Sequence, residues 1–178
     1  ISRGISAHAG LLSDMIKNFI DLGYEENPGF KPGDIFENND PHYGGIHSPD
    51  FDMCMPLFYD GKLIAWASCV SHVSDAGSVT PGSIGFLNPD CYSDGLPISM
   101  ERVGEGDRFY PWYEMRIRSR TRTPDFVMGD ARGRLAGCLT IRERLEEVIE
   151  KYGLDFILDA GKEYVEDSRR YAVGRVKT

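Results

Sequence analysis

Long apolar segments and paired metal-binding cysteines are both absent from the sequence, and each absence excludes a class of protein. No run of about 18 apolar residues occurs, so we expect no membrane-spanning helix. The cysteines form no CxxC pair and stand far apart, at Cys54, Cys69, Cys91 and Cys138. We interpret them as free thiols of a cytoplasmic protein rather than as a zinc site.

Signatures of nucleotide binding and of serine hydrolases are missing as well. The sequence contains no GxxxxGK[ST] phosphate loop, no GxGxxG between a strand and a helix, and no GxSxG. Its net charge of −8 argues against a nucleic-acid partner. Any ATP chemistry therefore has to take place outside this chain.

The pattern of apolar residues predicts an α+β fold. We expect a helix over 8–22, a short strand at 35–38, and a β-hairpin of 51–59 and 62–70 within a mixed sheet. Asp60-Gly61 suits the two-residue hairpin turn, since both positions tolerate positive φ.

The carboxy-terminal part of the chain predicts a strand followed by helices. Strict alternation in "YEMRIRSRTR", residues 113–122, favours a strand, and Thr123-Pro124 then favours a helix start. Two apolar stripes separated at Gly153 predict an αα-hairpin. We therefore treat 1–178 as a single region, with a mixed α/β part at 1–122 and a helical part at 123–175. Because the chain begins with Ile1, we expect it to be a fragment of a larger subunit.

The loop-rich stretch "ENNDPHYGGIHSPDFD", residues 37–52, suggests a metal site. If Tyr59 faces Lys62, His72 lies opposite Pro49 and diagonal to His47, at roughly 7–8 Å between backbones. Pro49 can bend the chain enough to bring in Asp50. Two imidazoles and one carboxylate suit Mn²⁺, Fe²⁺ or Zn²⁺.

Other side chains could complete this site, and a simpler interpretation stays open. Asp75 is the first reserve ligand, because it follows His72 by three residues as Asp50 follows His47. The further reserves are His8, Asp40, His42 and Asp52. From spacing alone, His and Asp in a Gly- and Pro-rich loop are more often turn formers and surface polar groups.

Arginines recur at alternate positions, at Arg116, Arg118, Arg120 and Arg122. On a strand these guanidinium groups share one face and require anions or carboxylates around them. A site for phosphate, carboxylate or bicarbonate is one interpretation. A salt-bridged subunit interface is the other, and this acidic chain favours it.

Four longer motifs resemble a known family. They are "NDPHYGGIHSPD", "SHVSDAG", "PGSIGFLNPD" and "MRIRSRTRTPDFVMGDARGRLAG". Together they are similar to the hydantoinase B and oxoprolinase family, and within it to acetone carboxylase alpha subunits. The resemblance extends through nearly the whole chain.

The resemblance implies an ATP-dependent carboxylation of acetone with bicarbonate or CO₂ to acetoacetate. By motif, the Mn²⁺ ligands of that family fall on His47, Asp50 and His72 here. The resemblance also implies that a partner subunit uses ATP, in a hetero-oligomer with beta- and gamma-type subunits. It further implies that the metal stabilises an enolate, and it makes Arg116, Arg118 and Arg120 candidates for anion handling.

Two alternatives remain open at this point. A metal-dependent amidohydrolase of the hydantoinase or oxoprolinase kind could use the same ligands through a bound water. An assembly module without its own chemistry would instead use the arginines to bind other subunits.

Overall fold

The computed structural model describes residues 6–176, which form four α-helices and one antiparallel sheet of five strands. The helices are α1 (Ser6–Asp21), α2 (Pro111–Arg120), α3 (Pro124–Tyr152) and α4 (Leu154–Val176). The strands are β1 (Ile35–Asn38), β2 (Asp50–Tyr59), β3 (Lys62–His72), β4 (Glu101–Glu105) and β5 (Arg108–Phe109). The strand order is β3-β2-β1-β4-β5, and all pairs are antiparallel. The predicted α+β class is confirmed, although β4 and β5 were not foreseen.

The β2–β3 hairpin turns at Asp60 and Gly61, which have φ of 48° and 74° as the turn requires. Tyr59 pairs with Lys62, but the register shifts between Leu57 and Phe58. This shift is a β-bulge that places one extra residue on β3. As a consequence, the prediction that His72 lies opposite Pro49 is wrong by one position: His72 lies opposite Asp50.

The two faces of the sheet are covered by different helices. On one face, Met15 and Phe19 of α1 form a buried cluster with Phe36 and Cys54. Side chains alternate along a strand, so Asp50 and Asp52 share the face of Cys54. On the other face, α2 and the first part of α3 contact β1 and β3, as the hydrogen bonds and close approaches described below show.

The segment predicted as an arginine-bearing strand is the helix α2, so that prediction is wrong. Pro111 occupies the first turn, where its fixed φ suits a helix start. Tyr113 and Ile117, four residues apart, are the buried positions. The alternating arginines imitated a strand, whereas the apolar positions have helical spacing. Arg116 and Arg120 therefore share one side of α2, and Arg118 lies elsewhere around it.

The chain divides into two compact units, one up to Leu139 and one from Thr140, and the division falls inside α3. Within the second unit, α4 follows Gly153, which has a φ of 85°. None of the described side chains of α4 is buried. Among residues 6–176, no helix is long and apolar enough to cross a membrane.

Candidate metal centre

The candidate site lies where β2 begins and β3 ends. Asp50 is the first residue of β2 and His72 the last of β3, and these two residues pair across the strands as the terminal rung of the hairpin. Before β2 the chain makes a turn in which the Asp50 N–H donates to the His47 carbonyl at 2.9 Å. The turn brings His47 back toward the terminal rung.

The carboxylate of Asp50 lies between the two imidazoles. His72 Nδ1 is 2.8 Å from Asp50 Oδ1, and His47 Nε2 is 3.0 Å from Asp50 Oδ2. The two imidazole centroids are 4.9 Å apart. One ligand atom from each of the three residues lies within 4.8 Å of the other two. Two atoms bound to one ion at about 2.1 Å and at right angles are about 3 Å apart, which matches the two nitrogen–oxygen distances. The group could therefore hold a single cation if its widest separation closes slightly around the ion.

The candidate site is buried on the side of Asp50 and exposed to solvent on the side of the two histidines. The Asp50 side chain is 4% exposed, whereas those of His47 and His72 are 37% and 40% exposed. A carboxylate without compensation is costly to bury, and the ion pairs of Asp50 within residues 6–176 are all with imidazoles. The donor set of two nitrogens and one oxygen suits Mn²⁺, Fe²⁺ or Zn²⁺. The open side leaves room for further ligands.

His8 is the nearest additional histidine. Its Nε2 lies 3.9 Å from Asp50 Oδ2, and its side chain is 17% exposed. It reaches the site from the first turns of α1 and stands outside the three-residue group.

The other reserve residues have different partners. Asp40 accepts from the His42 N–H at 2.9 Å and from Ser99 Oγ at 2.7 Å, as the cap of a short 3₁₀ turn. Asp75 accepts from the Gly77 N–H at 3.0 Å and from the backbone N–H and guanidinium of Arg122. These two carboxylates hold loops and are not part of the three-residue group.

Comparison with known proteins places the chain in a family. Residues 2–178 match the family described as hydantoinase B/oxoprolinase. The chain belongs to the hydantoinase B/oxoprolinase family.

Two curated members of this family show how much of a longer protein the chain represents. It is 36% identical over 176 residues to the acetone carboxylase alpha subunit of Xanthobacter autotrophicus. The aligned region covers 99% of this chain and 23% of that protein. It is 29% identical over 157 residues to the acetophenone carboxylase delta subunit of Aromatoleum aromaticum, covering 88% of this chain and 22% of that protein. The chain thus spans about a quarter of the length of these relatives.

Two solved structures share the fold. A nucleotide-free acetone carboxylase superposes with a TM-score of 0.85 at 36% identity, covering 88% of this chain and 21% of that one. An ATP-dependent caprolactamase from Pseudomonas jessenii superposes with a TM-score of 0.83 at 25% identity, covering 93% and 28%.

A second buried carboxylate accompanies the candidate ligands of this hydantoinase B family chain. Asp52 is 3% exposed and follows Asp50 on the same face of β2. Burial, reinforced by the negative charge of Asp50, raises the pKa of Asp52 to about 8. This face of the hairpin therefore carries two buried carboxylates, and burial favours the neutral form of Asp52 unless a cation is near.

The opposite face of the sheet holds a buried charged network that sequence reasoning missed. Glu37 of β1 accepts from Tyr113 Oη at 2.6 Å and from Arg134 Nη2 at 2.6 Å. Burial, and next the negative charge of Glu37, raise the pKa of Tyr113 well above its ordinary value, so the phenol stays a donor. These partners are 76 and 97 positions apart in sequence, and no local pattern could have paired them.

Most members of the arginine row are paired with carboxylates. Arg116 binds Glu101 through both terminal nitrogens, at 3.1 and 2.8 Å. Arg118 contacts Glu114 at 2.9 Å and Asp125 at 2.8 Å.

Arg120 differs from its neighbours in the row. It is exposed, and we find no ion pair for it among residues 6–176. A cleft of about 410 Å³ is lined by Arg116 and Arg120, together with Ser93, Tyr92, Leu96 and glycines of the 77–97 loop. Arg118 does not line this cleft.

Proposed function

We propose that this chain is the metal-binding part of a subunit of an ATP-dependent carboxylase that converts acetone and bicarbonate to acetoacetate. The observation that supports this most directly is the convergence of His47, Asp50 and His72 on a space that fits one cation. The likeness to an acetone carboxylase alpha subunit over 99% of the chain supports the choice of reaction.

The three side chains have distinct roles in this proposal. Asp50, buried and placed at the terminal rung, provides a fixed negative charge, and the half-exposed imidazoles of His47 and His72 complete the binding face. The turn closed by the Asp50 N–H and the His47 carbonyl holds the first histidine in place. Bound there, Mn²⁺, or alternatively Zn²⁺ or Fe²⁺, supplies Lewis-acid stabilisation of an enolate oxygen.

Arg120 is the member of the arginine row for which residues 6–176 provide no ion pair, and we assign it a role in anion binding. Arg120 lines the cleft beside Arg116, which Glu101 already binds, and offers its positive charge to a small anion such as bicarbonate or phosphate. Arg118 is occupied by Glu114 and Asp125 and is assigned no anion.

The remaining components lie outside this chain. We propose that ATP is used by a partner subunit, in a cytoplasmic hetero-oligomer with beta- and gamma-type subunits. The names of relatives as alpha and delta subunits support an assembly of different chains.

A hydrolase is the second candidate, and the likeness to a caprolactamase favours it. The same ligand group would then serve an amidohydrolase that opens a hydantoin, oxoproline or lactam ring. A third possibility, an assembly module without chemistry, gives no reason for burying Asp50 between two imidazoles.

Assays of the intact complex distinguish these functions. We expect ATP-dependent formation of acetoacetate from acetone and bicarbonate, loss of that activity in His47→Ala and His72→Ala, and its retention in His42→Ala. His42 is a suitable control because its side chain is 80% exposed and, among the described carboxylates, contacts Asp40 alone. Ring opening of a hydantoin or lactam without carboxylation would favour the hydrolase, and unchanged activity in all variants would favour the assembly module.

A further inference from the structure

Arg134 is a buried arginine on the face of the sheet opposite the candidate ligands. Its side chain is 2% exposed. Nη1 donates to Ser71 Oγ at 2.6 Å, Nη2 donates to Glu37 Oε1 at 2.6 Å, and the guanidinium carbon lies 5.5 Å from the centroid of the Phe51 ring. One side chain of α3 thus contacts three strands.

The contacts of Arg134 have a specific relation to the ligands. Phe51 and Ser71 pair across β2 and β3, and the adjacent rung is Asp50 opposite His72. Phe51 follows one ligand in the chain, and Ser71 precedes the other. Because side chains alternate along a strand, Phe51 and Ser71 point to the face that α3 covers, where Arg134 contacts both. The two ligands of the adjacent rung point to the opposite face.

The position of that rung explains why such support is needed. The Asp60-Gly61 turn closes the hairpin at its far end, so the Asp50–His72 rung is the last of the ladder. Beyond it, one backbone hydrogen bond joins the Val73 N–H to the Pro49 carbonyl at 2.9 Å. Terminal rungs open most readily, whereas metal ligands require a fixed separation.

General stability does not account well for this arrangement. A buried ion pair is weak evidence for stability, because desolvation of both charges offsets their attraction. Within the described part of the chain, Arg134 Nε is also buried without a hydrogen-bond partner. An apolar side chain would fill the same space without these costs, but it could not hydrogen-bond Ser71.

We propose that Arg134 is a positioning residue for the candidate metal centre: it clamps the Phe51–Ser71 rung and so fixes the separation of Asp50 and His72. This inference rests on the proposed metal site. Glu37 balances the charge of Arg134, and Tyr113 occupies the second oxygen of Glu37 without contacting the rung.

The test uses Mn²⁺ alone as the probe, titrated into the intact protein. Arg134→Met by itself leaves the buried carboxylate of Glu37 without its cationic partner, so the main variant is the double substitution Glu37→Gln/Arg134→Met, which removes both charges. We expect its Mn²⁺ affinity to fall by about 10- to 100-fold, the usual effect of losing an outer-shell partner. The Mn²⁺ affinity of Arg134→Lys should lie between those of wild type and the double variant, because an ammonium cannot reach Ser71 and Glu37 with the same planar geometry.

Tyr113→Phe is the matched control, since it removes a hydrogen bond to Glu37 and leaves the rung contacts intact. Its Mn²⁺ affinity should stay within about twofold of wild type. If Tyr113→Phe loses as much affinity as the double variant, or if the double variant binds as tightly as wild type, the positioning role is overturned.

Hydrogen exchange of the metal-free protein supplies a readout that does not depend on the metal. Peptides covering 47–52 and 68–73 should exchange faster in the double variant than in wild type or Tyr113→Phe. If His47→Ala binds Mn²⁺ as tightly as wild type, the proposed metal site fails. In that case, faster exchange of the two peptides in the double variant still supports the contact of Arg134 with the Phe51–Ser71 rung, and unchanged exchange overturns that contact as well.

Discussion

Asp50 and His72 face each other on the terminal rung of the β2–β3 hairpin, with His72 Nδ1 2.8 Å from Asp50 Oδ1. A single β-bulge between Leu57 and Phe58 creates this pairing. Without it, the turn at Asp60-Gly61 would place Pro49 opposite His72. The bulge therefore connects the hairpin turn to the geometry of the candidate metal centre.

Tyr113→Phe should destabilise the fold. The phenol donates to the buried carboxylate of Glu37 at 2.6 Å, and its loss leaves a charged acceptor with one partner fewer. We expect a decrease of about 1–3 kcal/mol in the free energy of unfolding, measured by urea denaturation of the intact protein.

Tyr110→Phe is the control for this effect. Its hydroxyl donates to Glu105 at 3.1 Å at an exposed position, so the change should stay within about 0.5 kcal/mol. Equal effects of the two substitutions would contradict the importance of the Glu37 network.

Cys69 should react as a thiolate near neutral pH. A hydrogen bond with Cys138 lowers the pKa of Cys69 to about 7, with help from the positive charge of Arg134 and against the effect of burial. A lowered pKa means that the thiolate is present above about pH 7. Alkylation of Cys69 by iodoacetamide, followed by peptide mass spectrometry in a Cys91→Ser background, should therefore rise with a midpoint near that pH.

The partner thiol provides the control for this prediction. In Cys138→Ala the hydrogen bond is lost, and the midpoint for Cys69 should move to higher pH. A midpoint that is the same with and without Cys138 would show that the contact between the thiols does not govern the reactivity of Cys69.

Arg120→Gln should weaken the use of bicarbonate by the intact complex. Arg120 lines the cleft without an ion pair in the described part of the chain, so its charge is available to an anion. One charge-assisted hydrogen bond corresponds to about a tenfold rise in KM for bicarbonate. Arg118→Gln changes the net charge equally on the same helix, and its KM should be unchanged because Glu114 and Asp125 already hold that guanidinium. A similar rise in both variants would indicate a general charge effect instead of a site.

The sequence predicted those features that depend on local chemistry. The Asp60-Gly61 turn, the strand at 35–38 and the helix start after Thr123 all follow from neighbouring residues, and the structure contains each of them. The register shift between Leu57 and Phe58 was not predicted.

Other features depend on distant residues and could not be predicted. The alternation of arginines in α2 imitates a strand, and the competing helical spacing in the sequence consists of two positions, Tyr113 and Ile117, both buried in the structure. The network of Glu37 with Tyr113 and Arg134 joins residues that only the complete fold brings together. The candidate metal ligands could be proposed from the sequence because the hairpin makes them neighbours through local geometry.

The most direct test of the account is the Mn²⁺ content and anomalous scattering of the intact protein, compared among wild type, His47→Ala, His72→Ala and His42→Ala. We predict one anomalous peak at the manganese edge between His47, Asp50 and His72 in wild type and in His42→Ala, and loss of that peak in the other two variants. Equal metal content in all four proteins, or an anomalous peak for Mn²⁺ bound by other residues, would contradict the proposed metal site.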